Sequence, residues 1–164
     1  MIATVIVGCL VCFAADAKSW DEFFPALENF GRMPATPKIE KNAKDEKPVA
    51  WSQTVDYEWL GGRYEHHTIT LARDAKFKEQ YSAEAMKKAK YEKLEVNKKT
   101  AYLWNREQPD KLEDVNKRLV VILADDKVLI IEQKGFGLDL ANIAKKFDFD
   151  KVIAAMDTPP AVKK

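Results

Sequence analysis

Arg118-Leu-Val-Val-Ile-Leu-Ala124 and Lys127-Val-Leu-Ile-Ile131, joined by Asp125-Asp126, decide how this chain is read. Both runs are almost continuous in β-branched and aliphatic residues. Two aspartates between them leave room only for a tight turn, so the pair is an antiparallel hairpin. Strands this apolar are covered on both faces, which puts the hairpin at the centre of a sheet.

Upstream, Trp51 to Leu60 alternates strictly. Trp51, Gln53, Val55, Tyr57 and Trp59 share one face, and Ser52, Thr54, Asp56 and Glu58 share the other. This is the pattern of a half-buried strand. Gly61-Gly62 turns the chain, and Arg63 to Arg73 returns. A two-residue turn would oppose Glu58 to Glu65 and turn Ile69 and Leu71 away from the aromatic face. A three-residue loop, Gly61-Gly62-Arg63, instead opposes Val55 to Ile69, Gln53 to Leu71 and Tyr57 to His67, which cross-strand packing favours. Leu94 to Val96 and Thr100 to Asn105 form a further hairpin about Asn97-Lys98-Lys99, and Gln108 to Asn116 is a polar loop.

Helical spacing marks the remaining elements. Ser19-Trp-Asp-Glu22 is a capping box, and Trp20, Phe23, Phe24 and Leu27 follow on one stripe, predicting a helix from about Trp20 to Phe30. Asp74 can cap a helix through Phe77, Tyr81, Ala85 and Ala89. Leu140, Ile143, Ala144 and Phe147 mark another, and Asp148 or Asp150 can start a last short one through Val152, Ile153 and Met156. The order is helix, hairpin, helix, hairpin, hairpin, helix, with no parallel crossover. The expectation is an α+β domain: an antiparallel sheet of about six strands built from hairpins, with helices packed against it. In its C-terminal two-thirds this element order loosely resembles exported domains of the Mog1/PsbP-like kind. The resemblance implies a fold and carries no residue roles.

The expected divisions are a signal peptide at 1–17, an amphipathic helix at 18–31, a linker at 32–48 rich in proline and lysine, one α+β domain at 49–156, and a disordered tail at 157–164. Residues 1 to 15 are apolar and lead into Ala15-Asp16-Ala17, a small-x-small cleavage pattern before Lys18. The run is shorter than the roughly 20 residues a spanning helix needs. The expected location is therefore secreted or periplasmic. The alternative is a lipid anchor through Cys9, because Ile6-Val7-Gly8-Cys9 resembles a lipoprotein box.

Cleavage would leave 147 of the 164 residues, one domain's worth, with 27 basic and 25 acidic side chains. That near-balance excludes a nucleic-acid surface, which needs a basic excess. Cys9 and Cys12 are the only cysteines, so the mature chain would hold no disulfide, thiol nucleophile or cysteine metal site.

His66 and His67 are adjacent, so on a strand they point to opposite faces and do not readily chelate one ion. No metal, cofactor or catalytic motif is expected. The candidate ligand-binding residues are Trp51, Tyr57, Trp59 and His67, which share the aromatic face. The candidate partner-docking residues are Trp20, Phe23 and Phe24. The expected function is a non-enzymatic exported domain that binds a protein partner or an apolar small ligand. The rival is an enzyme with a sparse site, one histidine paired with Glu58 or Glu65.

Overall fold

The computed structural model describes residues 20–61, 65–106, 114–135 and 137–161. The Met1–Ala17 segment, the Ser19 cap, most of the Gly61-Gly62-Arg63 loop, Tyr64 and residues 162–164 lie outside them. Among the described residues, eight strands form one antiparallel sheet: β1 (Phe30–Arg32), β2 (Thr36–Lys41), β3 (Pro48–Trp59), β4 (His66–Asp74), β5 (Glu92–Val96), β6 (Lys99–Asn105), β7 (Val115–Ala124) and β8 (Lys127–Lys134). Their order is β1-β3-β4-β8-β7-β6-β5, and β2 pairs with β3 beside β1.

The apolar hairpin β7–β8 is central, as its composition predicts. One face of it carries Leu119, Val121, Leu129 and Ile131 into the main core, and the other carries Val120 and Val128 into a second cluster. Each such side chain contributes roughly 1.5–3 kcal/mol by burial. Two helices, α3 (Leu140–Ala144) and α4 (Phe149–Ala155), cover the core face through Leu140, Ile143, Phe149 and Val152. Asp139 and Asp148 cap them, accepting from the Asn142 and Lys151 N–H groups. The helices α1 (Phe77–Gln80) and α2 (Ala83–Lys88) lie over the opposite, outer face, with Met86, Phe77 and Tyr81 on Val120, Val128 and Tyr102.

The β3–β4 register is the one argued from cross-strand packing: Val55 faces Ile69, Gln53 faces Leu71 and Tyr57 faces His67. Four expectations need correction. The helix expected from Trp20 to Phe30 is a single 3-10 turn, Asp21–Phe23, followed by extended chain and β1. Pro25 is the cause: it has no N–H to continue a helix, and it drives Phe24 extended, at φ −81° and ψ 116°. The stretch expected as a linker at 32–48 contains β2, which pairs with β3 along six residues. Pro37 fits there because β2 is an edge strand. The sheet therefore has eight strands where about six were expected. The single helix expected after Asp74 is two, because Ser82 turns extended and its hydroxyl caps α2 at the Ala85 N–H.

Order also extends beyond Met156, where a tail was expected. Lys127, almost fully buried, donates to the Ile153 carbonyl at 3.0 Å and to the Asp157 carboxylate at 2.7 Å. Arg73 bonds Asp126 and Asp157. Two cations thus hold the carboxyl-terminal end of α4, where the unpaired carbonyls favour positive charge. The Lys127 ammonium holds the Asp157 carboxyl below its usual range.

Candidate functional site

The aromatic residues singled out from the sequence all belong to the core face. Tyr57 is fully buried and its hydroxyl donates to the Pro25 carbonyl at 2.8 Å. Burial pushes that phenol up to about 12. Trp59 is half-buried and stands edge-on to Phe30 at 5.1 Å. His67, fully buried, lies 5.0 Å from the same Phe30 ring. Its Nε2 accepts from the Leu138 N–H at 3.3 Å, so in the neutral ring the proton sits on Nδ1. Burial, and secondarily the neighbouring His66, holds the imidazole down to about 4. Trp59 and His67 therefore meet at Phe30, and Tyr57 faces His67 across the β3–β4 ladder. Trp51 is separate, at the other end of β3, with its indole N–H on the Met156 carbonyl and the Arg73 guanidinium over its ring at 4.9 Å.

Trp20 and Phe24 are buried in this same core, and Phe23 packs against it half-buried. Phe24 meets Phe147 edge-on at 6.4 Å. Gln53, also buried, donates to the Asp21 carboxylate at 2.7 Å and so ties the first turn to β3.

The outer face differs. Helices α1 and α2 cover the side nearer β7 and leave the β2–β3–β4 side to polar residues. Thr54 and Thr70 face each other with hydroxyls 2.9 Å apart. One row further, Asp56 accepts from the Thr68 hydroxyl at 2.7 Å and lies 3.1 Å from His66 Nε2. His66 Nε2 is also 3.1 Å from the Thr68 oxygen. Pattern reasoning set His66 opposite Glu58, and that register pairing holds. The carboxylate it meets, however, is the diagonal Asp56. Diagonal neighbours lie within reach of long side chains, so the register itself held this signal.

Toward the other end, the strip opens into a groove of about 200 Å3. Ala50, Ser52 and Ala72 line it, with Phe77 from α1 and the Lys38–Glu40 ion pair (2.8 Å) from β2. Small residues on β3 and β4 leave this space. Of the sequence candidates, Trp51 alone lines it. Lys38, Ser52, Ala72 and Phe77 were not singled out from the sequence, because only the β2–β3 pairing and the position of α1 bring them together.

Among the described residues no group of three or more His, Cys, Asp or Glu side chains could hold a metal ion, and no helix is long and apolar enough to cross a membrane. Comparison with known proteins gives no matching family model, no similar curated protein and no similar solved structure.

Proposed function

We propose that this protein is an exported, non-enzymatic binding domain that contacts a hydrophilic protein partner or small ligand through the polar strip of β2, β3 and β4. One observation carries the reading. The outer face is divided, with an apolar half roofed by α1 and α2 and a half-exposed hydroxyl-rich half that ends in a groove. Partly exposed hydroxyl, carboxylate and imidazole groups on a rigid sheet suit polar recognition. Both sheet edges argue against strand addition as the binding mode. The edge strand β2 carries Pro37, Lys38 and Lys41, and β5 carries Glu92, Lys93 and Glu95, which discourage pairing with another chain.

Export belongs to the same proposal and rests on the Met1–Ala17 composition. The Mog1/PsbP-like likeness rests on the antiparallel hairpin order alone. The test is affinity capture from the exported fraction of the native host, with wild type and with Ser52→Arg, which fills the groove floor. A component retained by wild type and lost by the variant, at equal melting temperature, supports the reading. Equal retention, or none, counts against it. Intact mass in the same preparation reports a start at Lys18 for export, or at an acylated Cys9 for the lipid-anchored alternative.

One distance favours a second reading. His66 Nε2 lies 3.1 Å from Asp56 and from Thr68, within reach for acid–base work. Hydrolysis of p-nitrophenyl acetate that disappears in His66→Ala, with folding intact, would replace the binding proposal by the enzymatic one.

A further inference from the structure

At the open end of the β7–β8 hairpin, three buried polar atoms have no hydrogen-bond partner among the described residues: His67 Nδ1, Gln133 Oε1 and Asn116 Oδ1. Buried polar groups are nearly always paired, so three neighbours left unmet require an explanation. Their proximity follows from the ladder. His67 and Gln133 oppose each other on β4 and β8, and Asn116 is the extra residue of the bulge between Val115 and Lys117, beside Gln133. The Asn116 and Gln133 amides both donate to the Gly135 carbonyl, at 2.6 and 3.3 Å. The two side-chain oxygens therefore leave from amides anchored on one point.

The hydrogen-bonding roles are fixed. Leu138 donates to His67 Nε2, so Nδ1 carries the proton and is a donor, while both amide oxygens are acceptors. One donor and two acceptors are the complement of a single water molecule, which accepts one hydrogen bond and donates two. Gly137 packs on the other ends of the same groups: a Cβ there would stand 2.6 Å from His67 Nε2 and 3.2 Å from Gln133 Nε2, which leaves Nδ1 and Oε1 as the unmet atoms.

We infer that His67, Gln133 and Asn116 frame an internal water-binding site, in which one long-lived water bridges the His67 Nδ1–H to the amide oxygens of Gln133 and Asn116. Internal waters of this kind make about three hydrogen bonds and belong to the structure.

NMR on the full chain tests it. Ring 15N shifts are expected to report the Nδ1–H tautomer of His67, with a cross-peak from that proton to slowly exchanging water. An Nε2–H tautomer, or an Nδ1–H without the water contact, overturns the proposal. Water 17O relaxation dispersion gives an independent count: Gln133→Met, with its amide fingerprint retained, is expected to hold one internal water fewer. An unchanged count overturns the proposal as well. Should that variant not fold, the wild-type tautomer and cross-peak decide.

Discussion

His66 and His67 are neighbours in sequence and opposites in physics. His67 is sealed in the core face against Phe30, Gln133 and Gly137, with no carboxylate among its hydrogen-bond partners. His66 is partly exposed on the outer face and meets a carboxylate and a hydroxyl. The period of two along β4 alone separates them. The same residue type is thus a neutral packing element on one side and a polar surface group on the other. The core face spends its aromatics and imidazole on stability, while the outer face holds the accessible polar chemistry.

The comparison can be broken most strongly with acid. His67 titrates near 4 in the folded protein and near 6.5 unfolded, so the unfolded chain binds more protons between those values. Stability is complete above about pH 6.5 and is lost as pH falls toward 4, by about 3 kcal/mol in all. Urea titrations at pH 7 and pH 4.5 measure this, and in His67→Gln the slope over that window is expected to flatten. The Asp157 carboxyl, held below its usual range, acts in a lower window and leaves this one distinct. Next in size is Gly137→Val. Its side chain must displace the imidazole or the loop, and overpacking of this kind costs about 2 kcal/mol. A shift of the urea midpoint at constant slope checks it.

This contrast was half legible from the sequence. Strict alternation over Trp51–Trp59, joined to the packing argument at Val55 and Ile69, gave the register and so put His67 inside and His66 outside. The central hairpin was legible because nothing but a doubly covered strand pair accommodates so many consecutive aliphatics. The amino-terminal segment was misread because Trp20, Phe24 and Leu27 keep helical spacing even though Pro25 forbids the helix; their spacing reports burial and not conformation. β2 was hidden by Pro37 and its charges, which are the marks of an edge strand as much as of a linker. The groove and the His67–Gln133–Asn116 cluster were out of reach for another reason. They join residues far apart in the chain through a strand order and a bulge that no local pattern encodes.

Smaller effects sharpen the same distinction. Tyr57→Phe keeps the buried ring and deletes the hydroxyl that ties β3 to the Pro25 carbonyl. Leaving that acceptor unmet is expected to cost about 1 kcal/mol. The loss should concentrate in the first turn, seen as faster amide exchange at Phe23 and Phe24, whose N–H groups bond the carbonyls of Trp20 and Asp21.

The smallest expected effect is the most informative about the outer face. His66→Ala removes a ring within 3.1 Å of both Asp56 and Thr68, which looks like a substantial loss. The Asp56 side chain remains 45% exposed, however, so water can solvate the carboxylate that the ring leaves behind. The Thr68 hydroxyl still donates to that carboxylate at 2.7 Å, so the shortest contact of the three survives. Exposed pairs of this kind contribute about 0–1 kcal/mol, and the variant should fall within about 0.5 kcal/mol of wild type by urea titration. A loss of 2 kcal/mol or more would mean that His66 is structural after all, and the strip would then be a second piece of core and not a surface kept for contact.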